Sequence, residues 1–589
     1  MRTLKSWRIR GRMINMLQSF LSERTFQVSV AGYLSREHQL ENGVPQGSVL
    51  SVTLFLVAMQ PIFRAVPNGA EILLYADDIL LIVRGTKASK GLHRKLQAAV
   101  KAVDRWAKSV GFTISATKSY IFYCSPNARR EPAKEITIDR IPIPKTNRLR
   151  ILGITMDRTL TFKPHCQIVK KSCDTRLRIL QMVGAKLLRG NRTTLLQVGS
   201  VLITAKLTYG IGLISRGGPD TLQTLAPAYN KMVRYASGAF ATSPINSVMA
   251  EAGTLPFELL ALQSAARIAI QVVAKQSSNA TLPLIQRTSN RLTEVTGTPL
   301  PGVGQTVRQG NRAWHTRTPS IVWDVKKRVR AGDPPERVHP VVQQILSTRF
   351  QGSTVIYTDG SKMNDTVGAA FHANGLAGSY SLPKDCSVFS AEAYAIKMAV
   401  SIPNTRRELA IFTDSASCLQ ALESGKSKHP WIQEIENIVR TKSARNQPTI
   451  DTPIPGEDGM RTVKRAIRHR WDIQWHRSRD AKLREVKCDT YRWTDLSNAA
   501  DQRALTRLRI GHTRLTHTFL LKNEPAPTCE CCGVVMDVRH LILHCRKFNE
   551  ERANNDISIT SLQDALDNSE EKTTKLLNFL RETGLFKQL

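Results

Sequence analysis

The sequence predicts a multidomain protein of mixed α+β and α/β class, and three observations carry that expectation. Two strand-length apolar runs flank an acid pair and lead into a helix. Further on, strands again lead into a helix and then a last strand. Near the end, cysteines crowd together with a histidine. With 589 residues the chain has room for roughly three or four domains at about 150 residues each.

In the first region, "EILLYADDILLIV" (71–83) places Asp77 and Asp78 between the runs Ile72 to Ala76 and Ile79 to Val83. Only two residues separate the runs, so a tight hairpin is expected with the carboxylates at its tip. Upstream, "NGVPQGSVLSVTLF" offers Gly43 and Gly47, where the backbone can approach a ligand, with the Gln46 amide between them. Downstream, Leu92, Leu96, Val100, Val103, Ala107 and Val110 recur at helical spacing and Gly111 closes the pattern. "TKSYIFY", which includes Lys118, then returns to strand. This order suits an α+β layer that presents the acids at one end of a sheet.

Residues 165–345 alternate helical stripes with punctuated loops and carry Arg and Lys throughout, reading as a basic helical clamp or a solvated scaffold. In the next region, "STVIYTDGS" (353–361) reads as a strand ending in Asp359, followed by the strand-like "VGAAFHA" and "GSYSL". "SAEAYAIKMAVSI" reads as a helix whose apolar face includes Glu392, costly there unless paired or bound to a metal. "ELAIFTD" is a further strand ending in Asp414, and "SASCLQAL" opens a helix. Two strand ends and one helix thus offer three acids that can share a cation.

In the last region, Ile467, Trp471 and Trp475 recur every four residues among basic side chains, a pattern read as helix core more readily than as a stacking platform. "CECCGVVMDVRHLILHC" spaces Cys529, Cys532, His540 and Cys545 as C-x2-C-x7-H-x4-C, the count and spacing of a tetrahedral zinc site. Cys531 and His544 are spare.

Against 84 Lys and Arg stand 48 Asp and Glu, a formal charge of +36 spread along the chain, so polyanions are the expected partners. The most apolar stretch noted, 195–214, contains Gln197 and Lys206 and reads as a buried helix, so no membrane association is expected. The basic start lacks the unbroken apolar run of a secretory signal. Six scattered cysteines suggest reduced thiols and an intracellular setting, nucleus or cytoplasm.

The motifs "GVPQGSVLS", "YADD", "GFTISATKS" and "LRILGITMDRTLTFKPH" resemble, in order, the reverse transcriptases of non-LTR retrotransposons. The resemblance implies a polymerase palm, with Asp77 as a principal Mg (or Mn) ligand beside Asp78. Gly43, Gln46, Gly47 and Lys118 would be the residues that meet template and deoxynucleotide triphosphate. "TDGS", "AE" and "TDS" resemble ribonuclease H, implying a mixed sheet with helices and hydrolysis of RNA in an RNA/DNA hybrid at Asp359, Glu392 and Asp414. The cysteine cluster resembles the zinc knuckle of related polyproteins, implying zinc and either a grip on single-stranded nucleic acid or a purely structural role.

The resemblance further implies a partial palm at 1–165, a thumb-like helical part at 166–240, a connection at 241–345 and a ribonuclease H-like domain at 350–450. A basic helical segment at 451–525, the knuckle at 526–550 and a tail at 551–589 follow. Residues 1–24 hold no aspartate where the family carries an earlier metal ligand, and "NQPTI" runs into "DTPIPGEDGM" without the family's closing glycine- and histidine-containing loop. A chain truncated at its N-terminus and within the ribonuclease H-like region is therefore expected. Neither Asp451 nor Asp458 takes the missing acid's role. Three readings follow: an enzyme of DNA synthesis and hybrid cleavage, an inactive nucleic-acid-binding remnant, or a decayed insertion without a stable product. Oligomeric state is not encoded in any of these signals.

Overall fold

The computed structural model describes residues 2–40, 43–45, 47–85, 90–125, 135–186, 191–215, 218–275, 281–303, 320–329, 333–373, 375–402, 409–425, 427–441, 455–478, 482–558 and 560–589. Gln46, Asp451 and the junction of 450 with 451 lie outside them. The chain divides into two compact units, Met1–Pro164 and His165–Leu589.

In the first unit, helix α1 (Arg12–Leu21) and helix α2 (Val49–Met59) share a small apolar cluster built on Leu4, Leu17 and Leu54. Strands β1 (Glu71–Tyr75) and β2 (Asp78–Ile82) form an antiparallel hairpin in which Tyr75 pairs with Asp78. The turn is therefore Ala76–Asp77, one residue earlier than the acid pair suggests, and Asp78 opens β2. Ala76 takes the left-handed conformation, φ +52°, that a two-residue hairpin demands at its first central position.

Helix α3 (Lys90–Ser109) follows and buries Ala99, Val103 and Ala107. Its Leu96 and Val100 pack on a cluster of Ala116, Ile121, Ile136, Ile138 and Ile143. Val110, expected on the same stripe, lies beyond the helix and is exposed. Among the described residues the hairpin and the strand after α3 do not join one sheet. Ile121–Phe122 pairs in parallel with Lys145–Thr146, while β1 and β2 stand as a separate two-stranded sheet. Among the described residues no third strand flanks the hairpin, and Leu73 and Tyr75 are exposed.

The second unit begins within helix α4 (Lys163–Lys186), followed by α5 (Arg192–Gly199), α6 (Ile245–Ala252) and α7 (Phe257–Ala274). The apolar stretch 195–214 is broken into short helical pieces, with Gly210 left-handed between two of them. Among the described residues one helix is long and apolar enough to cross a membrane, and it is α7, which the sequence reading passed over. It buries Phe257, Leu259, Ala266, Ala269 and Ile270 inside the unit.

A four-stranded sheet comes next, with β3 (Thr354–Met363), β4 (Thr366–Ala373), β5 (Leu376–Leu382) and β6 (Leu409–Thr413) in the order β5-β4-β3-β6. The first three strands form a meander, and β6 lies parallel to β3. A parallel neighbour requires a crossover, which helix α8 (Val388–Val400) supplies. Helices α9 (Ala416–Ser424) and α10 (Pro430–Thr441) complete this part. Next come α11 (Gly456–Arg477), which buries Val463, Ile467, Trp471 and Trp475, and α12 (Ala499–Ile510).

A buried ionic cluster ties segments about 300 residues apart into this one unit. Arg192 Nη1 donates to Glu251 Oε1 at 3.1 Å and Arg192 Nε to Asp495 Oδ1 at 2.6 Å, while Arg509 Nη1 lies 3.6 Å from the same Glu251 oxygen. Lys487 Nζ donates to the Ala250 carbonyl at 3.2 Å. Glu251 is fully buried, and Arg192 and Arg509 nearly so. Removing one partner strands a buried charge, so Arg192→Ala is expected to destabilise this unit by about 3–5 kcal/mol, read from denaturant unfolding.

A half-buried histidine pair makes stability depend on acid. His512 and His517 stack with ring centres 3.7 Å apart, and His512 Nδ1 lies 3.1 Å from Thr242 Oγ1. Burial above all, with nearby Lys482, holds both at about 4, below the ordinary histidine value. The unfolded chain therefore takes up these protons first as pH falls. Stability is intact above the ordinary value near 6.5 and is lost between there and 4. Glutamine at both positions should flatten that decline in unfolding midpoints measured against pH.

Candidate metal and nucleic-acid sites

Register explains how two of the three acids in the sheet meet. The parallel ladder of β3 and β6 ends at Thr358 opposite Thr413, so Asp359 and Asp414 are the next positions on adjacent strands. Asp359 is not a strand end, because β3 runs on to Met363 against β4, pairing Asp359 with Ala370. What ends there is the neighbouring strand, which leaves both carboxylates exposed at the margin of the sheet.

Glu392 reaches the same point from α8. Ser387 caps that helix by accepting from Ser390 N at 3.2 Å, and Glu392 is 5% exposed. Gly360 N donates to Glu392 Oε1 at 2.9 Å. Any side chain at Gly360 would put its Cβ 2.4 Å from Glu392 N, so only glycine lets β3 and α8 come this close. Ligand atoms of Asp359, Glu392 and Asp414 all lie within 4.8 Å of one another. Burial first, then the adjacent Asp414 carboxylate, push Glu392 up to about 7. Its Oε2 is buried without a hydrogen-bond partner. A like-charged trio with an unpartnered buried oxygen fits a hard divalent cation.

The nearby acid Asp458 is buried but belongs elsewhere. Its Oδ2 accepts from Ser390 Oγ at 2.6 Å and from Ser387 N at 3.2 Å, and it is absent from the carboxylate trio.

The cysteine cluster is also gathered. Ligand atoms of Cys529, Cys532, His540 and Cys545 lie within 4.8 Å of one another. Cys529 N donates to Val534 O and Gly533 N to Cys529 O, at 2.8 and 2.7 Å, which folds the first two cysteines into one tight turn. His540–His544 form a π-helical turn, so Cys545 N bonds His540 O at 2.7 Å and residues five apart align on one side. His544 and Cys531 are exposed. A hydrogen bond from His540 lowers the Cys529 thiol, and the Arg546 N–H lowers Cys532, whereas burial pushes Cys545 to about 11. His540 Nε2 is buried without a partner. Three thiols and an imidazole packed this closely fit zinc, whose charge permits all three thiols to ionise.

Around the hairpin the arrangement is sparser. Asp77 and Asp78 are both exposed, and among the described residues neither joins a group of three metal-ligating side chains. Gly43 and Gly47 both have positive φ, +82° and +91°, with open space where a Cβ would stand. Lys118 is exposed in the turn after α3, its N–H bonded to Ser115 Oγ at 3.3 Å.

Residues 1–156, which hold the hairpin, match the family described as reverse transcriptase (RNA-dependent DNA polymerase). A protein named RNA-directed DNA polymerase from mobile element jockey is 28% identical over 233 residues in Drosophila funebris and 27% over 231 in Drosophila melanogaster. The chain carries a reverse transcriptase domain similar to those of non-LTR retrotransposon polymerases. The matched stretch is 38% of this chain and 25% of each relative, so the chain spans a quarter of the length of the relatives it matches.

Sequence reasoning found the hairpin of the reverse transcriptase domain and missed its register. Around the four-stranded sheet it missed Gly360 and the Asp458 contact. The glycine of "TDGS" was the available signal for the first; nothing local marks the second.

Proposed function

We propose that the chain is part of a non-LTR retrotransposon polyprotein and acts on RNA, DNA and their hybrid. Its strongest candidate activity is cleavage of the RNA strand of a hybrid at Asp359, Glu392 and Asp414, a ribonuclease H reaction of two-metal type. The observation that carries this reading is the convergence of three ligand atoms within 4.8 Å around an unpartnered Glu392 oxygen. Magnesium or manganese bound there would activate water and stabilise the leaving oxygen. The chain's own contribution is rigid placement: strand register fixes Asp359 beside Asp414, and the Gly360 N–H holds Glu392 against them.

The domain at 350–450 thus follows the palm (1–165), thumb (166–240) and connection (241–345), with the basic segment, the zinc knuckle (526–550) and the tail behind it. DNA synthesis from deoxynucleotide triphosphates on an RNA template is the activity proposed for the reverse transcriptase domain, with Asp77 as metal ligand and Gly43, Gln46, Gly47 and Lys118 near substrate. One observation favours a second reading, a binding remnant, for that domain alone: the exposed, two-stranded hairpin gathers no further acid among the described residues. The setting would be intracellular, in nucleus or cytoplasm.

The experiment is a paired assay on the full chain with magnesium. Labelled RNA in a hybrid should be cut, and Asp359→Asn should not cut it. Primer extension on RNA, compared between the native chain and Asp77→Asn, separates the two readings of the hairpin. No cutting by the native chain, with zinc and magnesium supplied, would refute the hydrolase.

A further inference from the structure

The carboxylates can hold a cation at one point, but a polynucleotide extends well beyond it. Helix α11 begins beside the N-terminus of α8, the helix that carries Glu392. Its first turn is fixed to α8 by Asp458, whose Oδ2 holds Ser387 N and Ser390 Oγ, and Glu392 follows Ser390 by two residues. Arg465, two turns on, stands 3.8 Å from Asp385, just ahead of α8. The opposite face cannot turn outward: Val463, Ile467, Trp471 and Trp475 are all buried.

The outward face is basic. Arg461, Arg465 and His469 lie at four-residue intervals on one row, flanked by Lys464, and His476 and Arg477 end the helix; all are exposed. Asp472, the acid in this stretch, is engaged by Thr490. From Arg461 to Arg477 the helix rises about 24 Å. At about 3.4 Å per nucleotide along one strand, that spans roughly seven phosphates.

We propose that this exposed face of α11 is a track for the sugar-phosphate backbone of the nucleic acid engaged at the carboxylate trio. The inference rests on the nucleic-acid reading above and gives it a surface. An anionic lipid surface fits less well, because membrane-binding helices need an apolar face to insert and here that face is sealed in the core. Contacts are to phosphates, so the track is indifferent to base sequence.

The test measures binding and not cleavage, so its failure is distinct from failure of the hydrolase. Full-length protein carrying Asp359→Asn is titrated into a labelled 24-base-pair RNA/DNA hybrid from 50 to 200 mM salt. Lys464→Gln, Arg465→Gln and Arg477→Gln together should lower the slope of log affinity against log salt by about 2–3, and Arg465→Gln alone by about 1. The control makes the same charge change on α4, whose Lys170, Lys171 and Arg178 are also exposed in this unit, and should move the slope by less than about 1. Equal slope changes for the two triples would mean diffuse attraction by a +36 chain and would overturn the track. Binding of the unaltered chain to anionic vesicles, abolished by the α11 triple while hybrid binding is kept, would overturn it in favour of a membrane.

Discussion

Stripping zinc from the full chain, or replacing Cys545 by serine, is expected to unfold the segment around residues 526–550. Val538, Leu541, Ile542 and Leu543 are buried, but the half that carries Cys529 and Cys532 has little besides the metal to hold it. The turn at Cys529 is made of three backbone bonds, two of which form the isolated bridge of Thr528 with Val535, and Val534 and Val535 are exposed. Small metal-closed loops draw about 10 kcal/mol or more of apparent folding free energy from zinc at neutral pH. Without the cation, three thiols within 4.8 Å of one another cannot all ionise, and His540 Nε2 stays buried with no partner. Hydrogen exchange before and after chelation should show protection lost at Cys529, Gly533 and Cys545. Because Arg552 bonds the Cys545 carbonyl and Arg539 pairs with Glu485 at 2.6 Å, loosening should spread to those contacts. Unchanged exchange after verified zinc loss would show that the cluster is held by packing alone.

Asp359→Asn is expected to lower the rate of hybrid cleavage by roughly a thousandfold, the effect of losing several kcal/mol of metal-dependent transition-state stabilisation. Folding should be nearly untouched. Asp359 is exposed, its strand pairing with Ala370 uses backbone groups, and asparagine keeps the size of the side chain. A rate loss with an unchanged melting temperature therefore separates a chemical role from a structural one. Glu392→Gln makes a useful contrast. Glutamine can still accept from Gly360 N, yet it removes the charge that burial and Asp414 already disfavour, so cleavage should fall while the protein keeps or gains stability.

The acid trio was legible in the sequence because strand and helix periods are local: alternation marks β3 and β6, and helical spacing marks Glu392 as inward-facing. The extent of β3 was not. "DGSKM" lacks apolar alternation and becomes strand only because β4 pairs with it through Met363 opposite Thr366. The hairpin's register failed for a similar reason. Apolarity assigned Ala76 to a strand, whereas pairing of Tyr75 with Asp78 puts it in the turn at positive φ. Least legible was the cluster around Glu251. A glutamate inside the apolar run "NSVMAEAG" was the available signal, but Arg192, Asp495 and Arg509 are too distant in sequence for any local period to join them.

Manganese binding to the full chain, followed by electron paramagnetic resonance, tests the central claim most directly. The native protein should hold manganese at the carboxylate trio, and Asp359→Asn combined with Asp414→Asn should abolish that population while zinc content stays constant. Identical manganese binding by the native and doubly substituted chains would contradict the claim that these three acids form a divalent-metal site.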